Sequence, residues 1–539
     1  MVLNIDINSG APTSALGGLE GASTNSRRMA SWIAPTGSAD QIINRAKPTA
    51  DDRGRDLARN DATVANVVST HRNSIVGARY DLNANPDWET LGATEDWAEE
   101  FRRVAEAKFG LYAESPQAWI DAGRRWTLTE LLRLGVASQV LFGEAILVAE
   151  WLRDSDRPYR TALQKVAPAR LSNPYNVMDG PSLRRGIEQD RRGRPLAYHF
   201  RRAHPGDFAA GQDAYSWRRV EAQTPWGRPQ VLHVYEALEA GQSRGLADLV
   251  AVLETLKMTK DFRGVTLENA VVNASYAAAI ESELPAEVIV AAMGGGTGAA
   301  AWMDPVGVYL NSLSEYAGEA NALRMDGVRI PHLFPGTKLN LKPVGTPGGV
   351  GTDFDAALLR HVAAGLGLSY EELSKDYSKT NYSSGRLGGQ ATERFMAARK
   401  KGTADRMAWF AYTLWVEEEL NYGDSLPRLP GKSRRGTLRA FYSPLGREAF
   451  CRATWIGANA GQIDEMKETQ AALMRIRGGL STLEIECGRL GRDYREVLRQ
   501  MAREQKLVQS LDLELDHDAT RKGKGEQQQT LRGDAEDDE

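Results

Sequence analysis

Cysteine is almost missing from this chain. Two residues, Cys451 and Cys487, among 539 exclude a disulfide framework and a cysteine-based zinc site, and they fit synthesis in a reducing cytoplasm. Long apolar runs are missing too. No charge-free stretch reaches the roughly 20 residues a membrane-spanning helix needs; the nearest approach, over 269–280, is short and rich in Ala and Asn. The N-terminal segment has no basic region leading into an apolar core, so it predicts a flexible arm rather than a signal peptide. Histidine is scarce. The seven, at 71, 199, 204, 233, 332, 361 and 517, form no i,i+4 pair and no H-E-x-x-H, so no metal is expected. There is no G-x-S-x-G elbow. The Gly-rich run Gly294–Gly298 is followed by Ala299–Ala301, where a P-loop needs Lys-Ser/Thr, and by the helix-stopping Pro305. It therefore predicts a surface loop and no nucleotide. Acidic pairs such as Glu99–Glu100 and Glu371–Glu372 read as solvated helix faces. This inventory makes no case for an enzyme, and no cofactor is expected.

An excess of positive charge is also lacking. A net charge of −4 excludes a protein that grips nucleic acid by bulk electrostatics. It does not exclude one through which DNA slides, because each added phosphate contact raises affinity through counterion release.

What is present is a globular composition, 42% hydrophobic and 26% charged, on a chain long enough for several domains. The first half reads as mixed α and β. Val64, Val67, Val68 and His71 recur at helical spacing before an extended stretch near Tyr80. Trp97, Phe101, Val104, Ala105 and Phe109 mark an amphipathic helix. The segment 128–152 reads as helix, Gly143, then strand. Around Gly193 the alternation of Ala197, His199 and Arg201 with Tyr198 and Phe200 predicts a hairpin. From Gly245, Leu246, Leu249, Leu253 and Leu256 predict one long helix with a leucine face, possible core or possible contact with another subunit, interrupted near Gly264. Short strands are expected near 328–334 and 339–344. The last hundred residues read as helical, with a stop at Gly478 or Gly479 and a capping box at Ser481 and Glu484. The polar end predicts disorder.

The oddest stretch is Asp376–Arg386, "DYSKTNYSSGR". It holds no aliphatic side chain and sits between two strongly helical segments. Together with "GLGLSYEELSK" ahead of it, this stretch resembles the lambda-type phage portal proteins. Their signature G-x-S-Y-E-x-L-x-x-D-Y-S-x-x-N-Y-S-S-x-R is matched from Gly367 through Tyr370, Glu371, Leu373, Asp376, Tyr377, Ser378, Asn381, Tyr382, Ser383 and Ser384 to Arg386. "RDLARNDATVANVV", "GEAILVAEW", "RRGIEQDRRGRPLAYHF", "SRGLADLVAVLETLKM" and "GRDYREVLRQMARE" resemble other family segments in order, from about Arg55 to about Asp512. The chain departs from the pattern at its Gly-rich insertion and after Arg386. There Gly385, Gly388 and Gly389, each unfavourable by roughly 1 kcal/mol relative to Ala, predict a later or displaced helix start.

The resemblance implies an α+β, mainly helical portal fold. It comprises an N-terminal arm (1–45), a mixed α/β wing (46–244), a stem helix (245–282), a small β-containing clip and return segment (283–345), a tunnel loop with a long helix (346–430), a helical C-terminal crown (431–515) and a tail (516–539). It also implies a ring of about twelve copies at one capsid vertex, assembled in the host cytoplasm and retained in the virion. The implied partners are further copies, the terminase large subunit, major capsid and scaffold proteins, head-completion and tail connector proteins, and double-stranded DNA held without sequence specificity. A ring-forming connector of a tail-like or gene-transfer particle is the alternative. The packaging motor is a poorer reading, since no Walker A motif is present. Within the loop, Lys375, Lys379, Asn381 and Arg386 would face DNA, with Asn381 and the hydroxyls as neutral donors. Asp376, Tyr377, Tyr382 and Ser383 would shape the loop, and Asn381 could equally belong with them through local turn hydrogen bonds.

Overall fold

The structure is a computed structural model that describes residues 29–276, 350–459 and 465–511, with positions 22 and 27 and the strand pair 324–325 and 328–329. The Gly-rich run, most of the expected clip strands and the C-terminal tail lie outside the described residues. The fold is α+β. It divides into two compact units: Met1–Leu253 with Ala363–Glu539, and Glu254–Val362.

In the larger unit the first helix, Ala39–Asn60, begins inside the expected arm because Ser38 caps it, accepting a hydrogen bond from Gln41 N. Asp61 then ends that helix and caps the next, Ala62–Ile75, through Thr63 N and Val64 N. Val64, Val67, Val68, His71 and Ile75 form the buried stripe of this second helix. In Glu95–Ala113 the buried face is Trp97, Ala98, Phe101, Ala105, Phe109, Tyr112 and Ala113, with Val104 half-buried at its edge. Helix Leu128–Phe142 ends at Gly143, whose φ of 74° turns the chain into strand Glu144–Trp151. That strand is central in an antiparallel sheet between Thr161–Val166 and Val231–Tyr235. A second antiparallel sheet of four strands contains the hairpin expected around Gly193, with a register shift at Glu188/Gln189. Ile146, Val148, Val166, Tyr198, Phe200 and Val220 belong to one core cluster, which joins the sheets. Removing such apolar surface from water, about 25 cal/mol per Å², is what holds them together.

The helix Ala404–Tyr422 is buried on nearly every side. Its Tyr412 and Trp415 pack with Phe109, Tyr159 and Trp455. Three consecutive acids on it are buried, and each has a partner. Glu418 accepts from Arg160 N and Thr161 N, both at 2.8 Å; Glu417 accepts from the Tyr442 hydroxyl at 2.7 Å; Glu419 accepts from Ser425 N at 3.1 Å.

Three further expectations need correction. The long helix begins at Leu253, not Gly245, with Asp248–Val252 as a 3₁₀ turn, and it passes through Gly264 to Tyr276. The chain before it is pinned: Gly245 N donates to the buried Glu144 carboxylate at 3.1 Å, and a side chain at Gly245 would strike the Gly143 carbonyl. The C-terminal hundred residues are not wholly helical, because Ala453–Ile456 pairs with Asp81–Ala84. This ties part of the expected crown to the expected wing. Finally, Thr482, not Ser481, caps Leu483–Arg489, accepting from Ile485 N, while Glu484 takes the Asn83 amide at 2.7 Å.

The smaller unit contains the rest of the long helix and most of Val350–Gly365. Within it Arg263 donates two hydrogen bonds to Asp355, both at 2.9 Å, and Phe262 meets Phe354 edge-on.

Candidate functional site

The polar loop is held by its own side chains. Gly367, with φ of 67°, turns the chain against the ring of Phe395, where any side chain would clash. Ser369 and Glu372 then form a capping box that starts the short helix Tyr370–Ser374. The same Glu372 carboxylate accepts from the Thr392 hydroxyl at 2.7 Å. From helix Ala62–Ile75, the Asn66 amide donates to the Glu372 and Leu373 carbonyls, both at 2.9 Å. Those carbonyls lie at a helix C-terminus, where no intrahelical partner remains. Glu372 is therefore a brace rather than a solvated surface acid. Asn66 carried no sequence signal, whereas the Ser369/Glu372 spacing did.

Beyond this brace, Lys375 closes the short helix in the left-handed region at φ 58°. The Asp376 carboxylate accepts from Ser378 N at 3.0 Å. The Ser378 hydroxyl and N–H hold its pKa below the ordinary value. Thr380 N closes a turn on the Tyr377 carbonyl at 3.1 Å. Asn381 caps helix Tyr382–Gly402: its side-chain oxygen accepts from Ser384 N at 2.8 Å, and Asn381 N donates to Ser384 Oγ at 3.1 Å. The helix thus starts at Tyr382, earlier than the glycines predict, because a reciprocal cap satisfies its first donors. The loop proper shrinks to residues 375–381.

Asp376 and Asn381 accordingly commit their side-chain oxygens to the backbone. Lys375, Tyr377 and Lys379 are exposed on the loop, and Ser383 and Arg386 are exposed on the first turns of the helix. The Tyr382 side chain lies outside the described residues. The geometry offers cations on a stiff, polar, locally satisfied turn, suited to transient contact with a polyanion. Among the described residues no group of His, Cys, Asp and Glu is arranged to hold a metal ion. His199 and His233 instead meet Glu188 and Glu144, at 2.7 and 2.9 Å.

Comparison with known proteins bears on the family. The family model described as "Phage portal protein, lambda family" matches residues 25–400. The portal protein of Escherichia phage N15 is 36% identical over 478 residues, covering 88% of this chain and 87% of that protein. Portal protein B of Escherichia phage lambda is 34% identical over 483 residues, with the same two coverages. The probable portal protein of Halomonas phage phiHAP-1 is 22% identical, covering 86% of this chain and 82% of that protein. Among solved structures, a chain from the neck of an empty GTA particle covers 83% of this chain and 94% of its own, at 14% identity and a TM-score of 0.36. That likeness is too loose to carry a conclusion. The chain belongs to the lambda family of phage portal proteins.

Proposed function

We propose that copies of this chain close into a ring of about twelve subunits at one vertex of a phage capsid. Through it a terminase drives double-stranded DNA inward, and through it the DNA later leaves. The carrying observation is the extent of the match: two portal proteins above 30% identity align with 88% of the chain, so the correspondence is to a whole protein and not to one module. The compact unit Glu254–Val362 would supply stem and clip, and the larger unit would supply wing, tunnel and crown, with Ala453–Ile456 counted in the wing. The protein acts by shape and charge rather than by bond-making. Its partners are the terminase large subunit, the major capsid and scaffold proteins, and the head-completion and tail connectors, met during assembly in the host cytoplasm.

In this reading Lys375, Lys379 and Arg386 lie along the channel and touch phosphates weakly, reading no sequence. Repetition around a ring turns one lysine into a belt of charge. Asn381 caps the helix with its side-chain oxygen and would offer its side-chain amide as the neutral donor. The first test is light scattering followed by electron microscopy of the purified protein. Closed rings with a hole wide enough for duplex DNA are expected. A protein that stays monomeric even with scaffold and capsid protein supplied would sink the reading. Lys379→Glu should impair packaging or retention while rings still form; unchanged packaging would remove Lys379 from the channel. ATP hydrolysis by the pure protein would revive the motor reading. Particles lacking DNA would favour a connector of a tail-like particle.

A further inference from the structure

The chain is weakly acidic as a whole, but its positive charge is unevenly spread. Between Arg428 and Arg452 stand seven arginines and lysines against one acid, Glu448. Four of the seven have partners. Arg428 and Arg434 each lie 3.5 Å from Asp424, and Arg434 also donates to the Leu420 carbonyl. Arg447 donates to the Gly227 carbonyl at 2.8 Å, and Arg452 lies 3.7 Å from Asp87. The other three, Lys432, Arg435 and Arg439, are exposed and make no side-chain hydrogen bond or ion pair among the described residues.

Their frame is rigid. Gly431, at φ 68°, turns the chain into helix Arg434–Phe441, which Ser433 caps through Gly436 N. The buried Thr437 hydroxyl accepts from Leu429 N at 3.2 Å, locking the preceding loop onto the helix. Phe441, fully buried, anchors the far end against Phe450. Arg435 and Arg439 are four apart and share a helix face, with Cβ atoms about 5–6 Å apart. Lys432 and Arg439 line the same open cleft of about 440 Å³, whose wall includes Gly436, Ser443 and Gly446. Unpaired cations over small residues suit close approach of phosphates. A stable protein partner generally needs large apolar or aromatic anchors at the centre of its contact, and this cleft lining contains none larger than Leu91 and Pro444.

We infer that Lys432, Arg435 and Arg439 form a contact for the phosphate backbone of duplex DNA, separate in sequence from the loop 375–381 and indifferent to base sequence. This rests on the portal reading for the supply of DNA. The probe is a labelled duplex of mixed sequence, titrated into the full-length protein across a salt series. Each phosphate neutralised contributes about 0.9 to the slope of log affinity on log salt. The triple variant Lys432→Ala, Arg435→Ala, Arg439→Ala should therefore bind roughly tenfold more weakly at low salt, with a slope lower by up to about 2.7. The same loss should appear in a Lys379→Glu background, and a triple-lysine variant (Arg435→Lys and Arg439→Lys, with Lys432 kept) should restore most of the binding. A thermal melt shows whether each variant is folded.

Unchanged affinity and slope in a folded triple variant would overturn the inference, as would absence of DNA binding by the parent protein. Stronger competition by poly-glutamate than by duplex at equal charge would also overturn it, assigning the surface to an acidic polypeptide. Electron microscopy of the same samples separates the two readings. Rings with patch-independent DNA binding would sink only this contact. Patch-dependent binding without rings, even with scaffold and capsid protein supplied, would sink the portal assembly and leave the contact standing.

Discussion

Glu144 concentrates more buried charge around itself than any side chain in the polar loop. It is fully buried, with Arg244 Nε at 2.9 Å, His233 Nε2 at 2.9 Å, Lys47 Nζ at 3.5 Å and Gly245 N at 3.1 Å. Burial alone would raise its pKa, but the Arg244 and Lys47 charges hold it well below the ordinary carboxylate value. Glu144→Ala leaves Arg244 buried without its carboxylate partner and Lys47 with Asp51 alone, at 3.2 Å. A loss of about 3–5 kcal/mol is expected in denaturant unfolding. His71 works in the opposite sense. Burial holds its pKa down at about 4, and its Nδ1 meets the Val67 carbonyl at 2.9 Å. A histidine that protonates more easily unfolded than folded contributes its full stability above about pH 6.5, and that contribution falls away as the pH drops toward 4. His71→Leu should flatten this part of the stability–pH curve. An unchanged acid limb would show that other groups govern it. Neither role was legible in the sequence, where Glu144 was one residue of a Gly-Glu strand and His71 one member of an apolar stripe.

At the scale of elements, the helix after the polar loop carries the clearest test. If Asn381 acts as its cap, Asn381→Ala should cost about 1 kcal/mol and Asn381→Asp or Asn381→Ser much less. A direct DNA role would instead set Asp apart from Ser in packaging, through the added negative charge. Gly389 lies in this helix with open space where a side chain would go. Gly389→Ala is therefore expected to stabilise by up to about 1 kcal/mol; a loss would mean that the bare helix surface at Gly389 serves an assembly contact. Helices and the Gly143 and Gly193 turns could be read from periodicity and turn chemistry, because those signals are local. The strand Ala453–Ile456 could not, since its pairing with Asp81–Ala84 joins residues far apart in the chain. The false start at Gly245 has a similar origin. A leucine repeat records helix preference, while the bond from Gly245 N to Glu144 that prevents a helix there is tertiary.

For the whole molecule, the division into two units predicts separable behaviour. The Phe262–Phe354 contact lies wholly inside Glu254–Val362, with ring centroids 5.5 Å apart. Phe354→Ala should speed proteolysis within that unit and leave the larger unit's fragments resistant. Simultaneous loss of both would show that the units fold as one. An edge-on aromatic pair contributes about 0.5–1.5 kcal/mol beyond its buried area, enough to shift a local opening without unfolding the rest. The charge pattern belongs to this scale as well. A net value near neutrality hides a cationic surface around Arg435, which matters only where a polyanion comes within about a Debye length, ~8–10 Å at physiological salt.

By itself the sequence determined the class of protein, its α+β character and the loop that marks its family. These depend on ordered local motifs, such as Gly367-x-Ser-Tyr-Glu and Asp-Tyr-Ser-x-x-Asn-Tyr, whose spacing survives without knowledge of distant neighbours. Only the tertiary structure decided that Asn66 braces the helix before the loop, and that Lys432, Arg435 and Arg439 have no side-chain partner among the described residues. Whether a polar side chain is spent or available depends on what the fold brings within about 3 Å of it, and for the Asn66 brace on Glu372 that proximity joins segments 306 residues apart.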